Sequence, residues 1–197
     1  MTPRRAAALR LVQTAPVAHD ILLGLAQLLE ERNEIDKKIA AMIGRPMTSG
    51  HLGEWIAAHV FDIKLEPSAA AAAIDGRFKS GPLQGRTVNV KWYLKREGLL
   101  DMTASELLDD YLVMTGPVGA GEGSYGGTRP WRIDHAYLFD AHSLREDLLE
   151  RGLHIGTASS VRSELWAKAE IYPDKTNERL HITERQAEAL ALFGAGT

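Results

Sequence analysis

The chain has 197 residues, 45% of them hydrophobic, and a formal net charge of −3. That suits one domain with an appendage and gives no global basic signal for nucleic acid. There is no cysteine, which excludes disulfides and thiolate metal sites and suits a cytoplasmic location. No apolar run reaches the roughly 18 residues of a membrane span, so no membrane partner is expected.

Residues 1–19 carry an arginine pair, and Arg10 interrupts their apolar part, so they are expected to be a flexible tail rather than a signal peptide. Residues 20–44 predict a long amphipathic helix, capped by Asp20 and stopped at Gly44. Ile21, Leu25, Leu28, Ile35, Ile39 and Met42 fall at steps of four and three, with Arg32 in the vacant seam position. Such a helix either lies on its own domain or acts as an arm that pairs in a homodimer.

After the turn "RPMTSG", "HLGEWIAAHVF" predicts a second helix, with Leu52, Ile56, Ala57 and Val60 on one face and Glu54 off it. "KLEPSAAAAAI" is broken by Pro67 and Ser68 and is expected to be a connector into a short strand over 74–78. Residues 81–85, "GPLQG", make a turn. Residues 86–93 alternate strictly, with Val88, Val90 and Trp92 on one face and Asn89, Lys91 and Tyr93 on the other.

A short helix is expected over 104–109 and a buried strand over 111–115. A glycine-rich loop follows, and then a strand over 131–139. Asp140 should cap a helix ending near Gly152. "LHIGTA", 153–158, predicts a strand, and Ser160 should open a helix reaching Glu170. Thr183 and Gln186 have the spacing of a capping box for the last helix, which stops at Gly194. The order of elements indicates a mixed α/β domain over 51–194.

Gly121-Glu122-Gly123-Ser124-Tyr125-Gly126 matches G-x-G-x-x-G but leads into Pro130 and a strand. It lacks the helix that would hold a pyrophosphate, so it is expected to be a surface loop. The seven histidines show no metal-ligand spacing, and His135 is expected in the core or at the rim of a strand. Asp75, Asn89 and Lys91 carry more chemistry. If the two strands pair, an acid meets an oxygen-bearing amide and a lysine, the set that Mg²⁺-assisted phosphodiester cleavage uses. A surface ion pair on a polar strand face is the simpler alternative. Arg77, Lys79, Arg86, Lys95 and Arg96 make this stretch locally basic, and Trp92 and Tyr93 lie among them, which suits a nucleic-acid backbone.

"GEW" on a helix, then "IDGRF", "VNVKWY" and "DYLVM" resemble the PD-(D/E)xK nuclease superfamily, and within it an uncharacterised bacterial family. The resemblance covers about residues 51–115. It implies a restriction-endonuclease-like α/β core, a mixed central sheet flanked by helices, with the N-terminal helix as an added arm. It further implies DNA as the partner, Mg²⁺ or Mn²⁺ as cofactor, Asp75 as central metal ligand, Lys91 as catalytic lysine and Glu54 as a helix-borne acid. Asn89 stands where the motif has its second acid. The amide offers an oxygen but no charge, so Glu54 would supply the missing charge or the site would bind without cutting. The proline that usually precedes the motif aspartate is replaced by Ile74.

Overall fold

The computed structural model describes residues 15–67, 73–118 and 129–195. It divides into Met1–Met47 and Thr48–Thr197. Most of the expected tail and the glycine-rich motif lie outside the described residues.

The first unit is one helix, α1, Ala15–Ile43. It begins five residues before the expected Asp20 cap. It stops where expected, because Gly44 takes φ +69°, the left-handed conformation that ends helices at little cost for glycine.

The second unit opens with α2, Ser49–Val60. The Thr48 side chain accepts from the His51 N–H and caps it, satisfying one of the free donors of the first turn. Then come β1 (Ile63–Leu65), β2 (Gly76–Phe78), β3 (Thr87–Tyr93), β4 (Leu99–Leu100), β5 (Asp110–Thr115) and β6 (His135–Asp140). The chain continues through α3 (Ala141–Glu150), β7 (Ser159–Ser160), α4 (Ser163–Ala169), β8 (Glu170–Tyr172) and α5 (Glu184–Ala191).

Six strands form one mixed sheet in the order β1-β2-β3-β5-β6-β8, and β4 pairs with β7 apart from it. Every pairing in the large sheet is antiparallel except β3 with β5. The alternation of β3 sorts its side chains between two cores. Val88, Val90 and Trp92 join Ile56 and Ala57 of α2 and Leu190 of α5. On the opposite face Tyr111, Val113, Tyr137 and Phe139 pack with Leu144 and Leu148 of α3 and Trp166 of α4. The unit is therefore an α/β domain with helices on both faces of a mixed sheet. Among the described residues no helix is long and apolar enough to cross a membrane.

Local signals acted as expected at several points. The Asp140 side chain accepts from the Ser143 N–H and caps α3. Thr183 and Gln186 form a full capping box at α5.

The expected helix at 104–109 is absent. Thr103 and Ser105 accept backbone N–H bonds from Ser105 and Leu107 at 3.2 and 3.3 Å, and such local side-chain bonds compete with helical ones. No strand forms over 153–158. The Gly156 and Ala158 N–H groups go to the Ser159 hydroxyl and the Asp101 carboxylate, and Ala158 has φ +59°. The helix expected from Ser160 starts at Ser163 and ends at Ala169, because Ser160 and Glu170 are taken by strands. The connector after α2 holds β1, three residues paired with β2.

Candidate functional site

The pairing of β2 with β3 sets Gly76 opposite Val88 and Arg77 opposite Thr87. Asp75 sits at the head of β2, and its N–H donates to the Val88 carbonyl at 2.9 Å. Its carbonyl accepts from the Glu66 N–H at 2.9 Å. One carboxylate oxygen, Oδ2, accepts from the Val90 N–H at 2.7 Å. The ladder thus passes from backbone to side chain at Asp75, and the acid is fixed to the residue between Asn89 and Lys91.

Gly76 explains the Asp-Gly pair. A Cβ at this position would lie 2.6 Å from the Lys64 carbonyl oxygen and 2.7 Å from Ile63 Cγ2. Only glycine lets β1 approach β2 this closely.

Asn89 is buried, and its Nδ2 donates to the Ala73 carbonyl at 2.9 Å. Its Oδ1 is buried and has no hydrogen-bond partner, an unusual state for an interior oxygen. Since the amide nitrogen is committed, this oxygen is free to accept a donor or meet a cation. Asn89 is in register with Tyr111, and Lys91 with Val113. Both therefore face the α3–α4 side. Lys91 is half-buried. Glu54 rides on α2, which packs on the other face through Ile56 and Ala57. Asn89 and Lys91 share one face of β3, and Asp75 is bonded to Val90 between them, while α2, which carries Glu54, packs on the other face.

The basic stretch is largely used within the fold. Arg77 Nε lies 3.9 Å from Glu66 and Lys79 Nζ 2.5 Å from Asp62, and Lys95 pairs with Glu97. The Arg96 guanidinium lies over the rings of Tyr137 and Trp166, 5.5 and 5.8 Å from their centroids. Trp92 is buried, and its indole N–H donates to the Arg132 carbonyl. The Tyr93 hydroxyl bonds to both the backbone and the carboxylate of Asp101. Burial pushes the Tyr93 hydroxyl pKa well up. The buried Trp92 ring is no open stacking platform.

Arg86 is the centre of an ionic cluster. Its Nε is 2.6 Å from Asp110 and its Nη2 3.2 Å from Asp140. Arg179 reaches the same two acids at 2.8 and 3.3 Å. Asp110 is wholly buried, so the two guanidiniums are what make its charge tolerable. Beside the cluster the Thr87 N–H donates to Asp109 at 2.7 Å. Burial raises the Asp109 pKa, but the Thr87 bonds and the Arg86 charge outweigh it and hold the carboxyl below its usual value.

Sequence reasoning passed over Asp110 and Arg179. No local pattern joins residues so far apart, and an acid opening an apolar strand was the available clue. Of the two places expected for His135 it takes the rim, with Nδ1 2.7 Å from Glu170 Oε1. Among the described residues no group of three or more histidine and acidic side chains is placed to hold a metal. No protein-family model and no curated protein matches the chain. Its class therefore rests on its own geometry: an α/β protein with a six-stranded mixed sheet.

Proposed function

We propose that the protein hydrolyses phosphodiester bonds in nucleic acid, with DNA as the expected substrate, on a restriction-endonuclease-like core. A mixed sheet with helices on both faces supports that fold. So does an acid at the head of β2 beside the lysine-bearing strand β3. The observation that carries the function is the bond from the Val90 N–H to Asp75, next to a buried Asn89 oxygen that has no partner.

One carboxylate and one amide oxygen fit a Mg²⁺ or Mn²⁺ site, since such ions keep waters and phosphate oxygens in the rest of their shell. Asp75 and Asn89 would hold the ion, and Glu54 is not needed for this donor set. When bound, the ion would supply charge neutralisation at the phosphate and a more acidic water. Lys91 would offset the negative charge that develops on the phosphate as the attacking oxygen approaches. The Val90 N–H holds Asp75 in one orientation, so little reorganisation is needed.

The neutral amide at Asn89 favours one other reading, a protein of the same fold that binds nucleic acid without cutting it. A single assay separates the two. Plasmid and single-stranded DNA are incubated with the protein and Mg²⁺ or Mn²⁺, and binding is measured in parallel at low salt. Cleavage that needs metal and disappears in Asp75→Asn and Lys91→Ala supports the nuclease. Binding without cleavage supports the second reading, and neither outcome in the parent protein would sink both.

A further inference from the structure

We infer that α1 is the self-association element of this protein and pairs antiparallel with α1 of a second copy. The helix has 29 residues, about 43 Å at 1.5 Å per residue. Much of its seam is exposed: Leu28 is 63% exposed, Ile35 55% and Met42 73%, while Ile39 is half-buried. Leu22 and Leu29 flank this surface, each more than half exposed. An exposed apolar row of this length, interrupted only at Arg32, marks a contact surface.

The spacing identifies the occupant. Steps of four and three give a 3.5-residue period, which stays in register only against another long helix. The other helices of the described residues have 12, 10, 7 and 8 residues. None spans the row from Ile21 to Met42, whereas α1 of a second copy spans it by construction.

Charge selects the direction. In a parallel pair Arg32 would face its own copy across the seam, and Glu31 would face Asp36 of the second copy. An antiparallel pair centred between Asn33 and Glu34 avoids both. It sets Leu25 against Met42, Leu28 against Ile39 and Arg32 against Ile35 of the second copy, with Glu31 beside Lys38. The ion pair of Lys37 with Glu34 at 2.6 Å lies off this seam and does not compete.

The absence of cysteine allows a clean test on the full-length chain. Sedimentation over a concentration series reads the mass, and the variants Leu28→Cys and Ile39→Cys are oxidised singly and mixed. The expected result is a dimer, with disulfide dimers abundant in the mixture and at least ~10-fold scarcer in either variant alone. A monomer at every concentration overturns the inference, and so does efficient crosslinking of Leu28→Cys with itself, which would mean parallel helices.

Leu28→Asp reads the same surface without chemistry. An unpaired acid in the seam should weaken association by roughly 100-fold or more, with the melting temperature of the second unit unchanged. If the parent is monomeric and Leu28→Asp lowers its melting temperature, the row is covered by its own chain and the inference fails.

Discussion

The Asp75 carboxylate accepts the Val90 N–H at 2.7 Å, so the acid also completes the hydrogen bonding of the strand that carries Asn89 and Lys91. Structure and chemistry at Asp75 can be separated by two substitutions. Asp75→Ala leaves the N–H without this acceptor and should cost about 1–2 kcal/mol. Asp75→Asn keeps an oxygen in place and should cost less than half of that, yet lose metal-dependent cleavage as completely as alanine. Urea denaturation beside the plasmid assay checks both, and equal stability losses would mean that the bond contributes little.

Asn89→Asp tests the partnerless oxygen. The substitution removes the donor to the Ala73 carbonyl and adds a charge in a buried place close to Asp75. Without metal it should destabilise by roughly 2–4 kcal/mol. Millimolar Mg²⁺ should recover part of that loss, because a ligand of the folded state stabilises it. A Mg²⁺-induced rise in melting temperature larger than the parent's is expected, and none when Asp75→Ala is added. An unchanged metal response would place the Asn89 oxygen outside any metal shell.

Gly76→Ala should be disproportionately harmful for so small a change. The new methyl meets the Lys64 carbonyl and Ile63 at under 3 Å, and neither is the far end of a flexible side chain. We expect a loss of about 1–3 kcal/mol. Hydrogen exchange should speed up at the Glu66 N–H, which bonds to the Asp75 carbonyl. Exchange spread evenly over the sheet would argue that the strain is not local.

Asp110→Ala would leave Arg86 and Arg179 facing each other beside Asp140 alone. Removing one side of a buried ionic group typically costs about 3–5 kcal/mol, and that range is expected here. Asp110→Ala combined with Arg179→Met should recover part of the loss, as a double-mutant cycle would show. Additive losses would mean that the two residues act independently.

The neighbouring acids predict how stability depends on pH. Burial pushes the Asp140 pKa up, but the Ser143 N–H and the Arg179 and Arg86 charges outweigh it and hold the carboxyl below its usual value. Asp109 is held low in the same way. A depressed folded-state pKa gives stability that is present above the unfolded value of about 3.9 and is lost as pH falls through the folded one. The urea midpoint should therefore drop below about pH 4, with a shallower drop in Asp140→Asn. Identical acid profiles for parent and variant would remove Asp140 from the account.

The sequence by itself determined the features whose causes lie within a few residues. The strict alternation of residues 87–93 predicted both β3 and the division of its side chains between two faces. The Asp140 cap and the Thr183–Gln186 box needed only three intervening steps of chain. Gly44 ended α1 for a reason internal to glycine. The pairing of β2 with β3 was also legible, because strands close in sequence pair almost by default.

Tertiary structure decided everything that depends on a distant partner. β1 and β8 are three residues each, too short to announce themselves, and they exist because β2 and β6 offer free edges. Local bonds to Thr103 and Ser105 stand where a helix was expected over 104–109. The sheet sets α2, the helix of Glu54, on the face opposite Asn89 and Lys91, which no spacing along the chain could reveal. Arg86 is basic in composition but is held by Asp110 and Asp140, acids from two other strands. Propensity and capping are local interactions. Burial and charge neutralisation depend on which surfaces meet, and that is known only once the sheet has assembled.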